Sequence, residues 1–176
     1  TMEYCDNNTI TNLTITGGLA DYYTLGYSDG GGMYLDYSNP TLTHVIIANN
    51  TAVRGGGMNL YSSNPTMTHV TISGNTADDE GGGMHLWNSN PTMTHVTIAN
   101  NTADSGGGMF LSDSNPTLSH VTIENNTTEY TGGGISLSTS NPTLTHVTIS
   151  DNTAEYLGGG MGLFSSNPTL THVIIA

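Results

Sequence analysis

The chain reads as an all-β solenoid, and three observations predict that class. A Pro-Thr pair returns at Pro40, Pro65, Pro91, Pro116, Pro142 and Pro168, a period of 25 or 26 residues. Each cassette holds short, β-branched, alternating segments such as Thr41-Leu42-Thr43 and Val45-Ile46-Ile47, separated by Asn, Gly and Ser-Asn-Pro turns, and no stretch has the helical period. A repeat of this length cannot bury its apolar face alone and must stack on its neighbours. The expectation is a single domain over 1–176, about six to seven coils of 25–26 residues with three short strands each. Residues 1–37 form a degenerate first coil and 38–176 the regular ones.

The elements of a coil follow in order. A Thr-x-Thr strand comes after each Pro, then a Val-x-Ile strand, an Asn-Thr turn, a glycine triplet and a Met-x-Leu strand. From the first glycine of each triplet to the next Pro the count is always 10, whereas from Pro to the following triplet it is 15 or 16. One turn alone therefore absorbs the extra residue. Reading backwards, Asn8 to Ile15 aligns with Pro40 to Ile47, and the first coil's version of the variable turn, 19–29, is the longest and carries Tyr22, Tyr23 and Tyr27.

Stacking the coils gives continuous inner columns. Leu42, Met67, Met93, Leu118, Leu144 and Leu170 form one; Val45, Val70, Val96, Val121, Val147 and Val173 a second; Ile47, Ile72, Ile98, Ile123, Ile149 and Ile175 a third. The Met-x-Leu strands, from Met33 and Leu35 to Met161 and Leu163, complete the core. A methionine stripe aligned with Leu and Ile reads as packing, not as a copper-handling surface.

The Asn-Thr step followed by Gly-Gly-Gly and an apolar residue resembles the right-handed parallel β-helix. It is similar to the repeats of polymorphic outer-membrane proteins and related bacterial surface proteins. The resemblance implies a right-handed, single-stranded parallel β-helix over nearly the whole chain. It implies no single activity, because this architecture carries lyases, adhesins, tailspikes and passive stalks alike.

Composition narrows the setting. One Lys plus Arg against 14 Asp plus Glu gives a net charge of -13, and Arg54 is the only side chain with a fixed positive charge. Nucleic acid is excluded, since phosphate binding rests on several basic side chains; anionic polysaccharide and anionic membrane are disfavoured for the same reason. The single Cys5 rules out an internal disulfide, and richness in Asn, Thr and Gly with few charges suits an extracellular or cell-surface protein. No apolar run is long enough to span a bilayer.

Several polar columns carry residue types capable of chemistry. His44, His69, His95, His120, His146 and His172, with Asn12 in the first coil, stack at a strand corner, and a linear stack does not converge on a metal as zinc ligands must. Asn50, Asn75, Asn101, Asn126 and Asn152 read as an internal amide ladder. Asp78, Asp104, Glu129 and Glu155 follow one another in the variable turn; calcium is conceivable there, but a solvated acidic edge is the plainer reading. No other cofactor or metal is expected, and the site residues include no catalytic ones.

The outward threonines form two files on one flat face: Thr41 and Thr43, Thr66 and Thr68, Thr92 and Thr94, Thr117 and Ser119, Thr143 and Thr145, Thr169 and Thr171. Files about 7 Å apart with neighbours about 4.8 Å away make a grid like the ice-binding face of β-helical antifreeze proteins, whereas Thr is also simply a favoured exposed strand residue. What varies between coils flanks the Met-x-Leu strand, where Tyr34, Tyr61, Trp87, Phe110 and Phe164 are candidate sugar or protein contacts.

An enzyme reading is weak. Arg54 alone cannot supply the basic groups that lyases of this fold use, and a uniform repeat leaves no obvious pair of carboxylates in a cleft. Neither end carries a polar capping repeat, so the chain is either an excerpt or its ends pair, with Ile10, Leu13 and Ile15 meeting Leu170, Val173 and Ile175 of another copy. The expectation is a non-enzymatic extracellular structural β-helix, a building block of a fibre or stalk through head-to-tail stacking. Ice binding through the threonine grid is the alternative, and a carbohydrate-binding or adhesin module the second.

Overall fold

A computed structural model of the chain, describing residues 1–21 and 28–176, is a stack of parallel strands with no helix among the described residues. The strands pair only with the coil above and the coil below, giving four parallel sheets, three of seven strands and one of six. A middle coil shows the order: Met58–Tyr61 lies in sheet A, Thr66–Thr68 in sheet B, Thr71–Ser73 in sheet C and Thr76–Glu80 in sheet D. Gly81, Gly82 and Gly83 then return the chain to sheet A at Met84.

The parallel solenoid is as the repeat predicts, but each coil has four strands where the sequence suggests three. The segment taken as a variable turn is sheet D. Thr76 and Ala77 pair in register with Thr51 and Ala52, and Glu80 then pairs with Arg54 across a bulge. That bulge holds the extra residue of the 26-residue coils, so the variation in period is absorbed without disturbing sheets A, B or C. Leu19–Ala20 is likewise a sheet D strand, while Tyr22, Tyr23 and Tyr27 lie outside the described residues.

Each corner is made by one residue in the left-handed region. Between sheets B and C it is His44, His69, His95, His120, His146 or His172, with φ from 52° to 55°, and Asn12 in the first coil. Asn and His are among the few non-glycine types that enter this region readily, which gives the histidine column a conformational reason. Tyr37, Ser62, Asn88, Asp113, Thr139 and Ser165 turn sheet A into sheet B at φ 46° to 51°. The sharpest corner, sheet D into sheet A, needs glycine for a second reason: a Cβ on Gly82 would stand 2.5 Å from the carbonyl oxygen of Thr102 and 2.6 Å from that of Gly107. Both obstacles are backbone and cannot swing aside.

Inside two of the four corners a polar ladder satisfies the backbone. Asn75 Nδ2 donates to Asn101 Oδ1 at 3.0 Å and to the Ile47 carbonyl at 3.0 Å, while the Asn75 backbone N–H donates to the same Oδ1 at 2.9 Å. The pattern runs from Asn50 to Asn152, the amide ladder that the sequence predicts. A serine ladder that the sequence reading missed does the same between sheets A and B. The Ser63 N–H donates to Ser89 Oγ at 2.9 Å, and Ser89 Oγ donates to the Trp87 carbonyl at 2.8 Å.

Between the ladders the apolar columns fill the rod. Leu42, Met67, Met93 and Leu144 are 0 % exposed, as are Ile47, Ile72, Ile98 and Ile149. The methionines pack among Leu and Ile with no polar partner, confirming them as core.

The ladders carry a measurable part of the stability. Asn101→Ala strips the acceptor from two buried donors of Asn75 and the donor from the Ile72 carbonyl, and each buried orphan costs about 1–3 kcal/mol. Asn90→Ala removes one exposed acceptor of the outer Asn column, at 2.6 Å from the Asn115 N–H. Denaturant titrations are expected to show Asn101→Ala destabilising several-fold more than Asn90→Ala. Equal effects would mean that the inner ladder adds nothing beyond local geometry.

Candidate functional site

Four surfaces carry the sequence-predicted residues, and they differ in what they present. On sheet B, Thr41, Thr66, Thr92, Thr117 and Thr143 stand exposed in one file, with Thr43, Thr68, Thr94, Ser119 and Thr145 half-buried beside them. The pairing is in register across every coil: Thr66 with Thr41 and Thr92, Thr68 with Thr43 and Thr94, and onward to Thr169 and Thr171. The grid is therefore real as a surface. It offers hydroxyls and methyls at strand spacing, with no charge and no cleft.

At the adjoining corner the six imidazoles lie exposed and stacked, with centroids 4.8–5.1 Å apart. Their planes are within 18° of parallel, so the ring nitrogens point side by side and do not converge. No group of three or more His, Cys, Asp or Glu among the described residues is arranged to hold a metal ion.

Sheet D carries the acids. Asp78, Glu129 and Glu155 are exposed and Asp104 is half-buried. Burial first, then Glu129 and Asp78, push the Asp104 carboxyl above its ordinary range. Burial and then Glu80 do the same to Asp79, against an opposing pull from Arg54. Arg54 itself is held by Asp29 through two contacts, Nε to Oδ1 at 3.1 Å and Nη2 to Oδ2 at 3.0 Å.

The outer face of sheet A is the least uniform. Its first outward column, Tyr34, Asn59, His85, Phe110 and Ser136, is not exposed as the sequence suggests: the end of sheet D bends back over it, and Asn59, His85 and Ser136 are at most 3 % exposed. His85 sits between Asn59 Nδ2, 3.1 Å from its Nδ1, and Glu80 Oε2, 3.3 Å from its Nε2. An amide NH2 is a donor only, so Nδ1 accepts and Nε2 carries the proton toward Glu80. Phe110 stacks on His85 at 5.6 Å.

The second outward column is open, and in the first coils it forms a groove. Glu3 pairs with Asp36, Asp36 with Tyr61 and Tyr61 with Trp87, one per coil. Tyr37 stands T-shaped to Tyr61 at 5.7 Å and Tyr61 to Trp87 at 5.5 Å, while Tyr4 stacks on Tyr37 at 5.4 Å. Glu3, Asp36, Tyr37, Tyr61 and Trp87, with Thr1, Asp29 and Tyr34, line a groove of about 660 Å³. Of the five aromatics singled out by sequence, three meet here: Tyr34, Tyr61 and Trp87. Phe110 faces a smaller depression beyond Trp87, and Phe164 lies exposed at the far end of the sheet. Tyr37, Glu3, Asp36 and Asp29 were missed. Their signal was that Tyr4 and Tyr37 occupy a corner column otherwise filled by Ser, Asn, Asp and Thr.

The family description "right handed beta helix region" matches residues 1–118 and again 68–175. The chain belongs to the right-handed β-helix family. The hand agrees with the general rule for parallel crossover connections. Neither the curated proteins nor the solved structures give a match. No helix among the described residues is long and apolar enough to cross a membrane.

In this β-helix the acidic edge has a definite pH signature. A carboxyl whose folded pKa lies above its unfolded value keeps its proton longer in the folded state, so stability falls as pH rises through that interval and the cost is complete at neutral pH. Asp104→Asn is expected to raise the melting temperature at pH 7, by an amount that shrinks with added salt. The gain should vanish as the pH drops below the unfolded carboxylate value of about 3.9. A variant no more stable than the parent at pH 7 would show that the column is fully solvated.

Proposed function

We propose that this β-helix is a non-enzymatic structural module of the extracellular space or cell surface, a rod segment that stacks head to tail with further copies. The observation that carries the reading is the unbroken register from coil to coil, which sets the first and last coils in the same columns.

The faces match. Ile10 occupies the column of Leu42 and Leu170, and Ile15 that of Ile47 and Ile175, so docking would continue each apolar column and each backbone ladder. Because the two faces differ, the contact propagates instead of closing as a dimer. The net charge of -13 opposes assembly, and salt weakens that opposition. The uniform repeat, with Thr and Ser on the open sheet, supports a passive role over catalysis.

Sedimentation and electron microscopy at moderate salt test the reading: filaments one rod wide are expected. The double variant Leu170→Lys with Val173→Pro should keep the strand signature of the middle coils yet remain monomeric. A parent chain that stays monomeric at high concentration sinks the proposal.

The regular threonine files favour a second reading, an ice-binding face. An uncharged, in-register grid across six coils is the kind of flat, repetitive surface that a lattice can match. Thr92→Tyr with Thr94→Tyr is then expected to abolish thermal hysteresis with the melting temperature unchanged; a parent chain without hysteresis or crystal shaping disposes of the idea.

A further inference from the structure

We propose that the sheet A groove is a binding site for a small quaternary or methylated ammonium compound, held between aromatic faces and a pair of carboxylates. The inference rests on the groove's own side chains; Glu3 lies on the edge strand of sheet A, so head-to-tail docking would close the groove at that end and leave Asp36, Tyr61 and Trp87 in place.

Its file of side chains is unusual for a stacked sheet. Glu3 and Asp36 are register partners in adjacent parallel strands, about 4.8 Å apart by strand spacing, and like charges directly opposite one another destabilise a sheet. Everywhere else along that column the occupants are uncharged: Tyr61, Trp87, Ser112, Ser138 and Phe164. The nearby Asp29 is paired with Arg54, the one Lys or Arg of the sequence, so no basic side chain is left for Glu3 and Asp36. Asp36 Oδ1 is buried and accepts no hydrogen bond. The Asp36 carboxylate lines the groove with one oxygen unpartnered and Glu3 beside it, which favours a positive group there.

The walls select the kind of cation. Tyr37, Tyr61 and Trp87 present ring faces and edges in a T-shaped series, and Tyr34 closes the side. Burial and then Asp36, Asp29 and Glu3 push the Tyr34 hydroxyl above its ordinary value, and Tyr37 leads the same effect on Tyr61. Both hydroxyls therefore stay neutral, in a region of negative potential. Aromatic faces attract a desolvated cation by about 0.5–2 kcal/mol each, and a methylated ammonium is more weakly hydrated than a primary one, so it enters such a site at lower desolvation cost. A metal ion fits poorly, since four of the side chains facing the groove, Tyr34, Tyr37, Tyr61 and Trp87, are aromatic rings.

Trp87 is the only tryptophan in the chain, so its fluorescence reports on the groove without a label. Titration with choline or tetramethylammonium is expected to change Trp87 emission saturably and to weaken with added salt. The uncharged carbon analogue of choline should give no saturable change. Asp36→Asn is expected to weaken binding at least tenfold while keeping or raising the melting temperature, because it removes the repulsion with Glu3. Tyr61→Leu should also weaken it.

Four results would overturn the proposal. Absence of saturation up to roughly 100 mM choline, or equal response to the uncharged analogue, removes the cation. Binding of a neutral oligosaccharide in its place reassigns the groove to sugars. Binding of a lysine peptide but not choline reassigns it to a protein partner.

Discussion

One residue per corner in the left-handed region is the constraint on which the rest of this structure depends. Bending the chain so sharply leaves the strands between corners only about three to five residues long, too short to hold together alone. They persist because each pairs in register with its equivalents above and below. A corner residue with a bulky β-branched side chain would resist the conformation; Asn, His, Gly, Ser and Asp recur there. The corner also turns the following residue inward, and that residue is the one that repeats most strictly: Ser63, Val70, Asn75 and Gly82 in one coil, with close equivalents in the next. Two of the four are polar because a tight corner leaves backbone groups that only a side chain of the neighbouring coil can reach.

Exact register has a second effect: every side chain meets its own kind. For Leu, Val, Ile, Asn and Ser this is favourable, because like packs on like or donates to like. For Asp and Glu it is not, and the structure handles the two cases differently. On sheet D the acids sit next to the bulge, where exposure and shifting register dilute the repulsion. Glu3 and Asp36 have no such relief, and they lie where aromatic side chains replace the small polar residues of later coils. The surface of an otherwise monotonous rod thus becomes chemically distinct at one place, set by departures from the repeat.

The same economy explains why the threonine face is open while the core is not. Sheet B is uniform because nothing folds over it, whereas sheet A's first outward column is covered by the returning sheet D strand.

The sequence by itself determined the solenoid, its period, its inner columns and the amide ladder, since each is a pattern that recurs at fixed spacing and needs no knowledge of how coils close. The threonine files were legible for the same reason. The fourth strand was not, because sheet D varies in length and composition and its bulge breaks the period from which strands were read. The groove was half legible: aromatics at Tyr34, Tyr61 and Trp87 stand out as exceptions, but their meeting with Tyr37, and the pairing of Glu3 with Asp36, depend on the first strand docking on the second coil. Only the tertiary structure decided which variable positions are covered and which open, because that depends on where the sheet D end folds back, a contact between segments whose sequences do not repeat.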